Sequence, residues 1–205
     1  MNDKASAPLS DIRRDFERVA PETARKASTF AASILADVAG RRGTLDGRVA
    51  PLSPSMRLAG PAFTIEVRHG DNLMIHVAMT MAKPGDILVI DGAVRDTEEL
   101  RALGFPVYAV CANPNGPTKF VPGRINWPVS CGGVAVHPGD LVVGDGDGVV
   151  VIERDRAASL LDAAAQKVAD ERSRLGDIAA GRNLRPKWLE GSLRAAGLLK
   201  EGETL

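Results

Sequence analysis

The sequence has no excess of either charge, little cysteine, few aromatics and no long apolar run, and each shortage removes a class of function. Lys plus Arg and Asp plus Glu number 26 each in 205 residues, so the formal net charge is zero. Without a basic excess or a run of Lys and Arg, no nucleic-acid surface is expected. The longest apolar runs, such as "ILVI" and "GVVVI", fall far short of the roughly 20 residues that span a bilayer. The opening stretch "MNDKASAPLSDIRRDF" lacks the apolar core of a secretion signal. No membrane partner and a cytoplasmic location are therefore the expectation. The two cysteines, Cys111 and Cys131, lack CxxC spacing and read as small buried residues of a reducing compartment. The three histidines, His69, His76 and His137, do not stand at HxxxH spacing. His76 reads as a partly buried helical residue and His137, before Pro-Gly, as a loop residue. GxSxG, P-loop and GxGxxG motifs are missing too, and no glycine-rich loop supports a methyltransferase.

What is present fits a globular α/β protein. Hydrophobic residues make up 44% and charged residues 25%, and the length suits one domain with appendages. Three segments are expected: an N-terminal helical segment 1–50, an α/β core 51–154, and a C-terminal helix with an amphipathic tail 155–205. Residues 8–38 read as two or three short helices, with Ile12, Phe16 and Val19 as one apolar stripe and Pro21 opening the next helix. "PAFTIEV" alternates as a strand. Asp71 or Asn72 can cap a helix to about Met81. "DILVI" is apolar on both faces, which predicts a central or parallel strand. "TEELRALG" is a short helix and "PVYAV" the next strand, a βαβ pattern. A long Pro-, Gly- and Asn-rich loop follows. Three short strands come next, broken at Gly132-Gly133, at His137–Asp140 and at Asp145–Gly148, which predicts antiparallel hairpins. Asp155 is placed as the cap of a helix to about Leu175, and the tail as a short helix carrying Trp188, Leu189 and Leu193.

Arg95 and Asp96 stand side by side where the turn after "DILVI" meets a helix start. An Arg there suits a carboxylate or phosphate in a bidentate grip. A neighbouring Asp pointing elsewhere could hold a hard divalent cation that keeps its waters. Together they could hold a 2-oxo acid, the cation polarising its carbonyl and Arg95 neutralising a developing enolate. The alternative is that Asp96 caps the helix while Arg95 makes a surface ion pair. "GDN" at 70–72 is another strand-to-helix turn, either a ligand-facing loop or a turn with an N-cap. "DGDG" at 145–148 fails the calcium-loop pattern, because Val149 and Arg156 occupy positions that need ligands.

With these residues in view, the chain resembles the RraA-like family. Its members include class II aldolases acting on 4-hydroxy-4-methyl-2-oxoglutarate and 4-carboxy-4-hydroxy-2-oxoadipate, and regulators of ribonuclease E. The likeness is carried by "GPAFTIEVRHGDNLMIHVAM", "KPGDILVIDGAVRDTEELRALGFPVYA" and "VSCGGVAVHPGDLVVGDGDGVVVI". D-G-x-x-R-D at 91–96, L-G-F-P-V at 103–107 and H-P-G-D at 137–140 are its specific motifs. The end, "KWLEGSLRAAGLLKEG", resembles the carboxy-hydroxy-oxoadipate branch. The resemblance implies a swivelling β/β/α fold in homotrimers or homohexamers with sites between subunits. It implies that Arg95 contacts substrate and is catalytic, that Asp96 binds Mg²⁺ or Mn²⁺ largely through waters, and that Glu171 of a neighbouring subunit helps hold those waters. The implied reaction is retro-aldol cleavage to pyruvate and a second 2-oxo acid, with oxaloacetate decarboxylation beside it. One departure stands out. Relatives carry a strand–loop–helix unit between the "GDILVI" strand and the "DGAVRD" turn, and here Ile90 runs straight into Asp91. The carboxylate-binding wall that this unit supplies would have to come from Asp71 and Asn72 in "GDN" or from the 113–119 loop. A member lacking the wall would be a regulatory or binding protein.

Overall fold

In the computed structural model, which describes residues 11–182, 185–186 and 188–205, one strand with two partners organises the fold. The chain forms two compact units, Met1–Ala164 and Ala165–Leu205. In the first unit, β2 (Leu58–Ile65) bonds antiparallel to β7 (Leu141–Asp145) through Leu58–Pro61, then parallel to β3 (Ile87–Ile90) through Ala62–Ile65. With β8 (Gly148–Ile152) the order is β3-β2-β7-β8. Gly60 sits where the loop before β3 presses on β2: a Cβ there would lie 2.1 Å from the Gly85 carbonyl oxygen.

Both faces of this sheet are buried, and alternation sorts their residues. Leu141, Val143, Val150 and Ile152 meet α1 (Pro21–Ala27), α2 (Ala32–Val38) and the first turns of α5 (Arg154–Ala179). Val142, Val149 and Val151 face Ala62, Val89, Cys131 and Val136. Burying each such side chain contributes about 1.5–3 kcal/mol. A third cluster, Phe63, Ile65, Met74, Ala78 and Ile125, lies under α3 (Leu73–Met79). Two-stranded pieces complete the unit: β1 (Ala50–Pro51) with β4 (Tyr108–Ala109), and β5 (Val129–Cys131) with β6 (Val134–Val136). The second unit holds the rest of α5 and the short α6 (Leu189–Ala195), where Arg194 pairs with Glu190 at 3.5 Å.

The α/β class and the hairpins at Gly132-Gly133 and Asp145–Gly148 hold, and Pro21 opens α1 as expected, but the region has four strands and the His137–Asp140 turn joins β6 to β7, which do not pair. Four local readings are corrected. Residues 13–20 form neither helix nor strand, and residues 8–10 of that stretch, like Asn183, Leu184 and Lys187 of the tail, lie outside the described residues. Val19 is buried, Ile12 bridges Ile125, and Phe16 packs edge-on against Phe63 at 5.8 Å, so tertiary contacts draw this stripe inward without a helix. β3 is parallel but at the sheet edge, and the βαβ unit is β2–α3–β3, because β4 pairs with β1 instead. Asp155 does not start α5. The buried Asp140 does, accepting the Arg154 N–H at 3.0 Å and the His137 N–H at 2.9 Å. Finally, two expected burials fail: His76 and Cys111 are exposed, while Cys131 is buried.

Candidate functional site at the ends of the parallel strands

β2 and β3 end in register at Ile65 and Ile90, and three loops converge past those ends. Ligands of α/β sheets gather at the carboxyl ends of parallel strands. The first loop carries His69–Asn72, the second Asp91–Asp96, and the third is the long segment from Cys111 to Val121. Backbone bonds join the second to the third: Val94 N–H donates to Cys111 O at 3.1 Å, and Asn113 N–H donates to Val94 O at 2.8 Å. The first and third are joined by Thr118 N–H to Gly70 O at 2.8 Å and Asn72 N–H to Thr118 O at 3.0 Å.

Asp71 is the knot of this arrangement. It is 5% exposed. One carboxylate oxygen accepts the Leu73 N–H at 2.9 Å, holding the start of α3. The other accepts the Thr118 hydroxyl at 2.6 Å and the N–H groups of Phe120 at 2.8 Å and Val121 at 3.2 Å. Burial alone would raise its pKa, but these donors hold the carboxyl well below the usual carboxylate range. Asp71 thus faces inward with its acceptors occupied. This corrects the expectation that it would meet a substrate: it builds the loop instead. Asn72 next to it is different. Its Oδ1 is buried with no hydrogen-bond partner, a state that protein interiors rarely tolerate.

Arg95 and Asp96 lie together on the second loop. They do not point apart: Arg95 Nε donates to both Asp96 carboxylate oxygens at 3.2 Å. Their side chains are 46% and 63% exposed. Asp96 stands at the N-cap of α4 (Thr97–Ala102) without a side-chain cap bond, in the left-handed region with φ 55° and ψ 43°. A non-glycine residue held there is uncommon and stores local strain. So Asp96 is not the helix cap of the plainer reading, while Arg95 does make the surface ion pair, with its own neighbour. The third loop runs beside the guanidinium, since a Cβ on Gly116 would stand 3.4 Å from Arg95 Nη1. His69 Nε2 lies 4.0 Å from Asp91 Oδ2, both exposed. Burial pushes the Cys131 thiol up and the charge of Asp91 adds to this, which keeps it protonated and unsuited to nucleophilic work.

Among the described residues no three His, Cys, Asp or Glu side chains cluster as a metal cage. A hard cation that keeps most of its waters needs only one or two carboxylates; Asp96 is exposed enough to offer one, but both its oxygens accept from Arg95 here. Glu171 is on α5 in the second unit, 3.4 Å from Lys167 Nζ.

A family model described as RraA-like, Aldolase/RraA, matches residues 7–93 and 88–151. The chain belongs to this family. The two matched stretches overlap at residues 88–93, the end of β3 and the turn that follows it. A protein of Halalkalibacterium halodurans, provisionally named as a 4-hydroxy-4-methyl-2-oxoglutarate aldolase, is 34% identical over 175 residues, covering 71% of this chain and 83% of that protein. One of Deinococcus radiodurans with the same provisional name is 43% identical over 65 residues, covering 32% and 41%. The crystal structure of Streptomyces coelicolor RraAS2, described as an unusual member of the RNase ES inhibitor RraA family, matches with TM-score 0.68 at 24% identity, over 78% of this chain and 99% of that one. That likeness is one of fold.

The motif at 91–96 made Arg95 and Asp96 legible in the sequence. Thr118 was missed as a structural partner, because its tie to Asp71 spans 47 positions. The only hint was that "GDN" and the 113–119 loop both offered themselves as walls.

Proposed function

We propose that the protein is a divalent-metal-dependent carbon–carbon lyase. Its substrates would be 4-hydroxy-4-methyl-2-oxoglutarate or 4-carboxy-4-hydroxy-2-oxoadipate, cleaved to pyruvate and a second 2-oxo acid, with oxaloacetate decarboxylation as a side activity. One observation carries this reading: an accessible Arg–Asp pair, held in a left-handed turn, at the carboxyl end of a parallel strand pair. In the cleavage the tertiary alcohol loses its proton and the adjacent carbon–carbon bond breaks. The electron pair passes into the enolate of pyruvate, which then takes up a proton. Arg95 grips the substrate carboxylate and offsets the enolate charge as it grows. Mg²⁺ or Mn²⁺ at Asp96 would supply Lewis acidity toward the substrate carbonyl. Donors from the Asn72 side-chain amide and from the 113–119 loop would replace part of the missing wall. Because Arg95 and Asp96 are open in one chain, a homotrimer or homohexamer in which a neighbour's Glu171 closes the site is part of the proposal. So are a cytoplasmic setting and the lack of nucleic-acid or membrane partners.

The direct join of Ile90 to Asp91 favours a second reading, a regulatory or binding protein of the ribonuclease E regulator type that has lost turnover. Pyruvate release over a small panel of 2-oxo acids, with Mg²⁺ and with chelator, separates the two. The lyase reading expects metal-dependent release that Asp96→Ala abolishes. Equal rates for wild type and Asp96→Ala would refute it, and no turnover on any substrate would favour the second reading.

A further inference from the structure

At the other end of the same two strands lies a cleft of about 660 Å³, bordered by Arg18, Arg25, Arg57 and Lys83. We infer that it is a binding site for a small dianion with an apolar or aromatic body, such as a phosphate monoester or a dicarboxylate. The cleft lies wholly in the first unit and uses no residue of the candidate site, so it does not depend on the lyase reading. Its walls are the start of β2, the loop before β3, α1 and β7. One wall is prebuilt. Arg18 donates to both oxygens of Asp86 at 2.7 and 3.0 Å, the Asp86 side chain is 1% exposed, and the Lys83 N–H donates to it at 2.8 Å.

That bridge spends Arg18 and leaves three other cations. Arg57 reaches only the buried Asp145, at 3.5 Å, and Asp145 already accepts the N–H groups of Ala32 and Asp147. Among the described residues the side chains of Arg25 and Lys83 have no ion-pair partner. Four cations against Asp86 and Asp145 leave an excess of about two positive charges, the complement of a dianion. The floor between them is apolar, formed by Val19, Phe30, Leu58, Pro61 and Val143. Inorganic phosphate would leave that floor uncovered, whereas an apolar body attached to the charged head would fill a volume in the usual range of ligand pockets.

Isothermal titration calorimetry on the intact chain tests this, with phenyl phosphate, phthalate, inorganic phosphate and benzyl alcohol as probes at low salt. Whichever aromatic dianion binds identifies the head group that the cleft prefers. It should bind once per chain, and inorganic phosphate and benzyl alcohol at least about tenfold more weakly. The double variant Arg25→Ala/Lys83→Ala should lose at least about tenfold in affinity, and Arg95→Ala should lose none. The inference is overturned if neither aromatic dianion binds at millimolar concentration, if inorganic phosphate binds as well, or if Arg95→Ala removes the binding. As a reading that needs no variant, phenyl phosphate should shift the backbone amide resonances of Ala59 and Gly85 in the wild type. Shifts confined to Val94 and Asn113 would refute it.

Discussion

Asp96 offers a test in which stability and activity part company. Two substitutions, Asp96→Gly and Asp96→Ala, remove the carboxylate equally but meet the backbone differently. The residue is held at φ 55°, ψ 43°. An L-residue with a Cβ pays about 1–2 kcal/mol in the left-handed region, and glycine does not. The pairing with Arg95 is lost in both variants, and as a half-exposed contact it is worth at most about 1 kcal/mol. It therefore cancels in the comparison. Part of the glycine advantage is returned through its freer unfolded chain, about 0.4–1 kcal/mol, which leaves a difference of roughly 1 kcal/mol in favour of Asp96→Gly. For a chain of this size that is about 2–4 °C in melting temperature. Thermal melts and the pyruvate-release assay are run side by side. The glycine variant should melt above the alanine variant while both lack metal-dependent turnover. Equal melting temperatures would refute the strained turn, and turnover in either variant would refute the role of the carboxylate.

Arg95→Ala should lower kcat/KM by about 2–4 kcal/mol if the guanidinium meets the enolate, measured on whichever substrate the panel identifies; an unchanged kcat/KM would remove Arg95 from the chemistry. The depressed Asp71 carboxyl has a pH signature. Stability gained from its ionised form is fully present above the unfolded carboxylate pKa near 3.9 and is lost as pH falls toward its lower folded value. Asp71→Asn should therefore lower the melting temperature at neutral pH and flatten its fall below about pH 4, and a wild-type slope in the variant would count against the hydrogen-bond network. Asp140→Ala strips the partner from two N–H groups, one of them at the start of α5, and should cost about 1–3 kcal/mol in chemical denaturation.

Much of the fold was legible because the relevant signals are local. The alternation in β7 and β8, the turn at Asp145–Gly148, Pro21 at the start of α1 and Gly104 with φ 66° after α4 all act within a few residues. What escaped depends on distance along the chain. Ile12, Phe16 and Val19 have helical spacing, yet a segment without helix draws them inward, Ile12 onto Ile125, Phe16 onto Phe63 and Val19 into the cluster under α1 and β7. Asp155 stands where a cap belongs, but Asp140, fourteen positions before Arg154, takes the bond. β3 looks central because both faces carry apolar residues, and composition does not reveal that a neighbouring strand is missing. At the site, the residue pair was readable from its motif. Its mutual bond was not, because side-chain direction depends on the left-handed turn at Asp96.

That mutual bond sets how ligands would enter. With Arg95 and Asp96 neutralising each other, a cation arriving alone would strip Arg95 of its counter-ion, and an anion arriving alone would do the same to Asp96. A cation and a 2-oxo acid arriving together would exchange one internal pair for two external ones. Each would therefore raise the affinity of the other by the same factor. Because the half-exposed pair is worth at most about 1 kcal/mol, each ligand titrated alone would bind up to about fivefold more weakly than in the presence of the other.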